Sequence, residues 1–175
     1  MPVLIAFAGL PGAGKSTIAR AVARHLGAAY LRIDTVEQAL RAGGTLPAAV
    51  VAEGYAVAHA VAADQLTIGL SVVTDAVNPL RLTRDAWRAV AARAGVPLLD
   101  VEVVCSDAAE HRRRVETRTV DVPGLVLPTW EAVRAREYHA WDRPRLVLDT
   151  AARDAGACVR ELLARLPSGA APAGA

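Results

Sequence analysis

Lysine is scarce in this 175-residue sequence, because 19 of its 20 basic residues are arginines and Lys15 is the only lysine. A GTPase that reads guanine through an Asn-Lys-x-Asp motif needs a second lysine, so that class is excluded. The net charge of +2 is also too small to indicate a nucleic-acid partner through bulk electrostatics. Lys15 is therefore the one basic position at which the sequence has a lysine and not an arginine.

Cysteines and long apolar runs are scarce as well. Cys105 and Cys158 lack the spacing of a metal site and predict no disulfide framework, which favours a reducing, cytoplasmic setting. No apolar run reaches the roughly 18 residues of a membrane span. No basic stretch precedes the first apolar run, as it would in a signal peptide. We therefore expect one domain with neither a leader peptide nor a membrane partner.

The single lysine lies in the stretch 9–17, GLPGAGKST, which has the G-x-x-x-x-G-K-S spacing of a P-loop, or Walker A motif. A short apolar run precedes it and apolar residues at helical spacing follow it, so the motif joins a predicted strand to a predicted helix. Glycine-rich backbone N–H groups and a helix N-terminus bind phosphates. We expect Lys15 on the terminal phosphates and the Ser16 hydroxyl on Mg²⁺. The residues predicted to bind nucleotide here are Gly12, Ala13, Gly14, Lys15, Ser16 and Thr17.

Short apolar runs alternate with helical stretches along the whole chain. Strands are predicted at 3–8, 28–33, 70–74, 98–105 and 145–148, and helices at 14–26, 35–41, 47–69, 80–94, 107–118, 129–141 and 152–166. This alternation predicts an α/β fold, a parallel sheet with helices on both faces. We expect residues 1–166 to form the domain and the low-complexity stretch 167–175 to be a disordered tail.

Two aspartates follow predicted strands, at the edge where ligands bind in open α/β sheets. Asp34 follows the second strand, and a carboxylate there can take a proton from an acceptor hydroxyl. The alternative is a helix N-cap, because Asp34 to Glu37 also fits a capping box. Asp75 closes the third strand in the manner of a Walker B carboxylate and is predicted to bind Mg²⁺, with a simple turn carboxylate as the alternative.

An arginine-rich helix, 110–118 (EHRRRVETR), is predicted after the fourth strand. Helical spacing places His111, Arg114 and Arg118 on one face, ahead of a stretch broken by glycine and proline. This is typical of a mobile lid, here 112–128, that brings guanidinium groups to a transferring phosphoryl group. The alternative is a solvated helix face with a Glu110–Arg114 ion pair. Thr150, after the fifth strand, is expected on the adenine side.

Other polar and aromatic side chains could line an acceptor pocket. In the first group Arg84 has the alternative of a surface charge, and the second group has the alternative of a packed pair on one apolar helix. The first group comprises Asn78, Arg81, Arg84 and Trp87, and the second comprises Tyr55 and His59. Trp130 and Trp141 are expected to pack in the core or at a hinge.

Taken together, these motifs resemble the small P-loop kinases of the adenylate-kinase-like group over residues 3–166. GLPGAGKST is typical of the superfamily, and Asp34, Asp75, CSDAAEHRRRVETR at 105–118 and LDT at 148–150 resemble its small-kinase branch. Gluconate and shikimate kinases, chloramphenicol phosphotransferase, zeta-toxin kinases and bacterial AAA-family ATPases or predicted kinases share this layout. The resemblance implies a five-stranded sheet in the order 2-3-1-4-5, bound ATP and Mg²⁺, and a lid after the fourth strand.

The resemblance also implies roles for single residues. Asp34 takes the place of the carboxylate that activates the acceptor. Arg114 and Arg118 take the places of the adenine-packing and lid arginines, in either order. No gluconate- or shikimate-type acceptor motif and no C-x₂-C lid zinc site is found. We therefore expect an ATP-dependent kinase acting on a hydroxylated small molecule, catalysed by Lys15, Asp34 and these arginines. The alternatives are a toxin-like or antibiotic-resistance phosphotransferase and a nucleotide-dependent regulatory ATPase.

Overall fold

A five-stranded parallel sheet forms the centre of the molecule in a computed structural model that describes residues 1–44, 52–167 and 169. The strand order is β2-β3-β1-β4-β5, which confirms the order implied by the resemblance. The strands are β1 Leu4–Ala8, β2 Ala29–Arg32, β3 Val72–Asp75, β4 Leu98–Val104 and β5 Leu146–Asp149.

Helices cover both faces of this sheet. They are α1 Lys15–Leu26, α2 Ile33–Ala42, α3 Ala52–Thr67, α4 Arg81–Ala94, α5 Ala108–Thr117, α6 Trp130–Arg134 and α7 Ala155–Ala164. None of these helices is long and apolar enough to cross a membrane.

The central strand β1 is buried along its whole length because it packs against two separate layers of helices. Successive side chains of a strand point to opposite faces. Ile5 and Phe7 therefore join a core with α1 and α7, while Leu4 and Ala6 join a second core with α3 and α4. A continuous apolar run is the pattern expected of a strand covered on both sides. The P-loop leaves this buried strand at its carboxyl end, which is where the polar site described below is built.

Two helices differ from the sequence prediction near the site. α2 begins at Ile33 with Arg32 as its N-cap, so Asp34 lies in the first turn and is not the N-cap. α6 begins after the capping side chain of Thr129, as predicted, but ends at Arg134 and does not reach residue 141. The chain leaves the helix because residues 138–141 pack instead around the α4 arginine described below.

Parts of two other predictions lie outside the described residues. The helix predicted at 47–69 is described as α3 from Ala52 to Thr67, and residues 47–51 are not covered. Of the tail predicted at 167–175, only residues 167 and 169 are described.

Candidate active site

The P-loop leaves β1 at Ala8 and enters α1 at Lys15, with Gly14 as the helix N-cap in a left-handed conformation (φ 100°). Gly12 also has a positive φ, 85°, and a Cβ atom there would lie 2.6 Å from the Val115 side chain of α5. A Cβ atom at Gly9 would lie 2.1 Å from the Val103 carbonyl oxygen of β4. The loop therefore needs glycine for its own close packing as well as for ligand approach.

His111 of α5 supports this loop from behind. Its side chain is buried, and its Nε2 atom lies 2.8 Å from the Pro11 carbonyl oxygen. The imidazole also meets the Trp130 ring edge-on, with 5.3 Å between the ring centroids. The sequence interpretation placed His111 on a lid face with two arginines. The structure places it in the packing beneath the P-loop.

Lys15 is buried, with 8% of its surface exposed, and its Nζ atom donates a hydrogen bond of 3.0 Å to the Leu10 carbonyl oxygen. Burial lowers the pKa of Lys15 to about 8, although the charges of Asp75 and Asp34 act in the opposite direction. The surrounding protein groups therefore do not fully compensate the positive charge of the ammonium group. An anion bound in the P-loop would supply that compensation.

Asp75 ends β3 directly beside the P-loop strand, because the sheet register pairs it with Phe7 of β1 and with Arg32 of β2. Its side chain is only 3% exposed, and its Oδ2 atom accepts a hydrogen bond of 2.6 Å from the Tyr30 hydroxyl. Burial and the charge of Asp75 raise the pKa of Tyr30. The carboxylate is therefore fixed in orientation by a neutral donor.

Arg32 lies between the acidic groups of the site. Its Nη2 atom is 3.3 Å from Asp34 Oδ2, its Nε atom is 3.9 Å from Asp75 Oδ2, and its Nη1 atom is 2.8 Å from Asp121 Oδ2. Asp34 itself is 43% exposed and so remains open to a ligand. Sequence reasoning missed Tyr30 and Arg32. A sequence signal was available, because Tyr30 and Arg32 are two residues apart in β2 and such side chains lie on the same face of a strand.

Arg114 is held on the other side of the P-loop by Thr150 and Glu110. Its Nη1 and Nη2 atoms donate to the Thr150 hydroxyl (2.8 Å) and carbonyl (2.9 Å) oxygens, and its Nε atom donates to Glu110 (2.7 Å). The Thr150 hydroxyl lies 2.9 Å from the Ala13 carbonyl oxygen. The Glu110–Arg114 ion pair, considered as an alternative from the sequence, is thus present, and it orients Arg114 toward the loop after β5.

Arg118 lies beyond the end of the helix that carries Arg114. α5 ends at Thr117, and the backbone of Arg118 is extended (φ −66°, ψ 146°), so the shared helical face predicted for His111, Arg114 and Arg118 does not reach it. Its guanidinium is half-buried, and burial lowers its pKa. Its Nε atom is buried without a hydrogen-bond partner among the described residues. The charge of Arg118 also contributes to the lowered pKa of Lys15.

Most of the acceptor-side candidates prove to be structural. Arg84 is 2% exposed and donates to the carbonyl oxygens of Asn78, Pro79 and His139 at 2.7–2.9 Å. Its guanidinium also stacks 4.2 Å from the centre of the Trp141 ring. The proposed acceptor role of Arg84, and its alternative as a surface charge, are both wrong, because it ties the 78–79 turn to the chain after α6.

The neighbours of Arg84 are built into the same core. Asn78 and Trp87 are buried, and the indole N–H of Trp87 donates to the Asn78 side-chain oxygen at 3.2 Å. The His59 ring lies 4.2 Å from the Trp87 ring and 6.0 Å from the Tyr55 ring, which confirms the packing alternative for that pair. Arg81 is exposed and pairs with Asp142 at 2.8 Å.

The donor set beside the P-loop suits a hard cation. Ser16 and Asp75 offer one hydroxyl and one buried carboxylate, and Mg²⁺ binds through one or two such oxygens together with substrate phosphates and water. Within residues 1–44, 52–167 and 169, no cluster of three or more His, Cys, Asp or Glu side chains could hold a metal by itself. Ser16 and Asp75 are therefore the residues that would hold Mg²⁺ in company with a nucleotide.

One family model covers most of the chain. The model of the AAA_33 family, described as an AAA domain, matches residues 4–153. No curated protein matches the sequence.

Three solved structures share the fold over nearly the whole chain. A candidate kinase from Chloroflexus aurantiacus is 21% identical, with 95% of this chain and 99% of that chain covered and a TM-score of 0.73. The APS kinase CysC of Mycobacterium tuberculosis, in complex with AMPPNP and APS, is 25% identical, with 93% and 96% covered and a TM-score of 0.69. A gluconokinase from Sinorhizobium meliloti 1021 is 22% identical, with 93% and 90% covered and a TM-score of 0.65.

Proposed function

The chain belongs to the AAA_33 family of AAA domains, and on that basis we propose that it is a kinase that transfers the γ-phosphoryl group of ATP to a hydroxyl group of a small molecule. The observation that carries the proposal is the convergence of Lys15, Asp75 and Asp34 at the carboxyl edge of the sheet, beside the P-loop. This is the edge at which parallel α/β sheets bind their ligands.

The P-loop accounts for nucleotide binding. Backbone N–H groups of 12–17 would hold the phosphates, and the buried ammonium of Lys15 would pair with the terminal ones. Arg114, aimed at Thr150, would lie on the adenine side. The AMPPNP bound to the similar APS kinase supports ATP as the nucleotide. ATP supplies the phosphoryl group, and Mg²⁺ on Ser16 and Asp75 would neutralise part of its charge.

Asp34 would act as the general base. Its half-exposed carboxylate can accept the proton of an incoming hydroxyl while Arg32 fixes one of its oxygens at 3.3 Å. General-base catalysis by a positioned carboxylate contributes about 10²- to 10⁴-fold. Lys15 and Arg118 would balance the charge on the phosphoryl group as it moves, and a single arginine in this role can contribute about 10³- to 10⁵-fold.

The lid predicted at 112–128 remains part of this proposal, with one change in its extent. Residues 112–117 belong to α5, which packs against the P-loop through Val115 and His111. The irregular segment 118–129 is therefore the part that would close over the nucleotide.

The cellular setting is a separate part of the proposal. The free thiols of Cys105 and Cys158 support the cytoplasmic setting expected from the sequence.

The test is ADP formation from Mg·ATP across a panel of hydroxylated acceptors that includes sugars, sugar acids, nucleosides, nucleotide sugars and antibiotics. We expect one class to stimulate turnover in the wild type and to lose that effect in Asp34→Asn. Asp64→Asn, which removes an exposed carboxylate from α3, is the matched control and should behave as the wild type. A panel that stimulates no turnover in a protein that binds ATP tightly would favour the regulatory ATPase instead.

A further inference from the structure

Two arginines from separate parts of the chain contact one loop carboxylate. Arg20 of α1 and Arg32 of β2 both donate to the same oxygen of Asp121, the latter at 2.8 Å. The charge of Asp121 also acts on Arg118. Two direct guanidinium contacts lower the pKa of Asp121 to about 2. The carboxylate therefore occupies a position at which an oxyanion is strongly stabilised.

This position adjoins the proposed base. Arg32, which contacts Asp121 through Nη1, contacts Asp34 through Nη2. An anion in the place of the Asp121 carboxylate would thus contact the same guanidinium group that contacts Asp34. This guanidinium group would therefore orient both the anion and Asp34.

The arginines retain donors that Asp121 does not satisfy. The Nε atoms of Arg32 and Arg118 are buried and have no hydrogen-bond partner within the described part of the chain. The Arg32 side chain is only 11% exposed, so water reaches it poorly. A buried donor without an acceptor is unfavourable. Arg32 Nε faces the buried carboxylate of Asp75 at 3.9 Å, so the donor left without a nearby acceptor among the described residues is Arg118 Nε. Because Asp121 contacts Arg20 and Arg32 through a single oxygen, a ligand with several anionic oxygens would offer more acceptors than it does.

Asp121 is placed so that it can leave. Its side chain is 44% exposed, and it lies in the irregular segment 118–129, whose Gly124 rests beside Gln38 of α2. The pair with Arg20 is half-exposed on both sides and contributes little free energy, so the largely buried Arg32 is the main partner that a ligand must take from Asp121. A multiply charged ligand with the correct spacing would therefore displace the carboxylate without unfolding any helix.

We propose that Arg20 and Arg32 form the site for an anionic group of the acceptor, a phosphate, sulfate or carboxylate, and that Asp121 holds this site until the acceptor displaces it. The inference rests on the proposed function, because it places the acceptor hydroxyl on Asp34. It assigns Arg32 as a residue that selects acceptors by charge.

The experiment measures anion binding with the P-loop already filled. Mg·AMPPNP is first titrated into each protein by calorimetry, and inorganic phosphate and sulfate are then titrated into the saturated complex. We expect saturable anion binding by the wild type, binding tightened roughly 3- to 10-fold in Asp121→Asn, and no saturable binding in Arg32→Gln. Glu116→Gln, which removes a carboxylate that pairs with Arg112 on the exposed face of α5, should match the wild type.

The other possible results contradict either the inference alone or the proposed function together with it. Unchanged or weaker anion binding by Asp121→Asn would overturn the inference and leave the kinase proposal intact. If Asp121→Asn tightens only Mg·AMPPNP, the arginines serve the nucleotide and the inference is wrong. Failure of the wild type to bind Mg·AMPPNP would refute the proposed function and this inference with it. If Arg32→Gln does not fold, Arg20→Gln replaces it, and retained anion binding in that variant would overturn the inference.

Discussion

Replacing Lys15 by methionine should abolish phosphoryl transfer and, in the nucleotide-free protein, raise stability. The reason is the buried ammonium group, which donates to the Leu10 carbonyl oxygen and, among residues 1–44, 52–167 and 169, has no carboxylate in direct contact. Methionine has a similar length and no charge to desolvate. A residue that is required for function is thus expected to destabilise the free fold.

The magnitude follows from the pKa of Lys15, which burial lowers from 10.5 to about 8. A change of about 2.5 units corresponds to roughly 3 kcal/mol in favour of the unfolded chain at neutral pH. Loss of the hydrogen bond to Leu10 offsets about 1 kcal/mol. Lys15→Met should therefore be more stable than the wild type by about 2 kcal/mol at pH 7, or about 4–8 °C in Tm for a chain of this size.

The same shift predicts a dependence on pH. Because the folded-state pKa lies below the unfolded value, the unfolded chain binds more protons between pH 8 and 10.5. Stability of the wild type consequently rises with pH through that window. Lys15→Met has no such group, so its advantage should shrink as pH rises from 8, vanish at about pH 10 and be slightly reversed by 10.5.

The assay is urea unfolding of wild type, Lys15→Met and the control Arg24→Met at pH 7 and at several values up to 10.5, without nucleotide. Arg24 is an exposed residue of α1, and its loss should change stability by less than about 0.5 kcal/mol. The reasoning is refuted if Lys15→Met is less stable than the wild type at pH 7, or if the difference between them does not change with pH.

Three further predictions concern neighbouring side chains. Thr150→Val removes the hydroxyl that Arg114 contacts at 2.8 Å; KM for ATP should rise roughly 3- to 10-fold, and an unchanged KM would remove Arg114 from the nucleotide site. Tyr30→Phe removes the 2.6 Å hydrogen bond to Asp75; the Mg²⁺ concentration for half-maximal turnover should rise about 10-fold, and an unchanged requirement would argue against Asp75 as the metal ligand. Arg84→Met removes the donor to the carbonyl oxygens of Asn78, His139 and Ala140 and one of the two donors to that of Pro79; the free energy of unfolding should fall by about 2–4 kcal/mol, and a loss below about 0.5 kcal/mol would contradict the structural role.

Local pattern was sufficient for the sheet and for most of the helices. The apolar runs ending at Ala8 and Asp75 mark buried strands because both faces of the sheet are covered. Glycine at residues 27 and 95 ends α1 and α4 in the left-handed conformation expected of a helix C-terminus. α6 was predicted too long because its end depends on Arg84, about 50 residues earlier, and no local signal records such a contact.

Residues of the candidate site were predictable where a local pattern marks them. Lys15 and Ser16 belong to one contiguous motif, and Asp34 and Asp75 follow their strands closely, so the edge of the sheet brings them together. The arginines behave differently because their positions depend on distant partners. Arg84 was considered as an acceptor-binding residue, but it is buried among backbone carbonyl oxygens. Arg32 was given no role from the sequence, but it contacts three carboxylates. With 19 arginines in the chain, residue type alone does not separate these roles.

The most direct test of the proposed kinase activity is transfer of labelled phosphate from γ-³²P-ATP to an acceptor, measured in the presence of Mg²⁺ for wild type, Asp34→Asn and Asp64→Asn. The account predicts a labelled acceptor with the wild type and the control, and a loss of about 10²-fold or more in rate with Asp34→Asn. Label that appears only as inorganic phosphate, at a rate independent of both the acceptor and Asp34, would contradict the account.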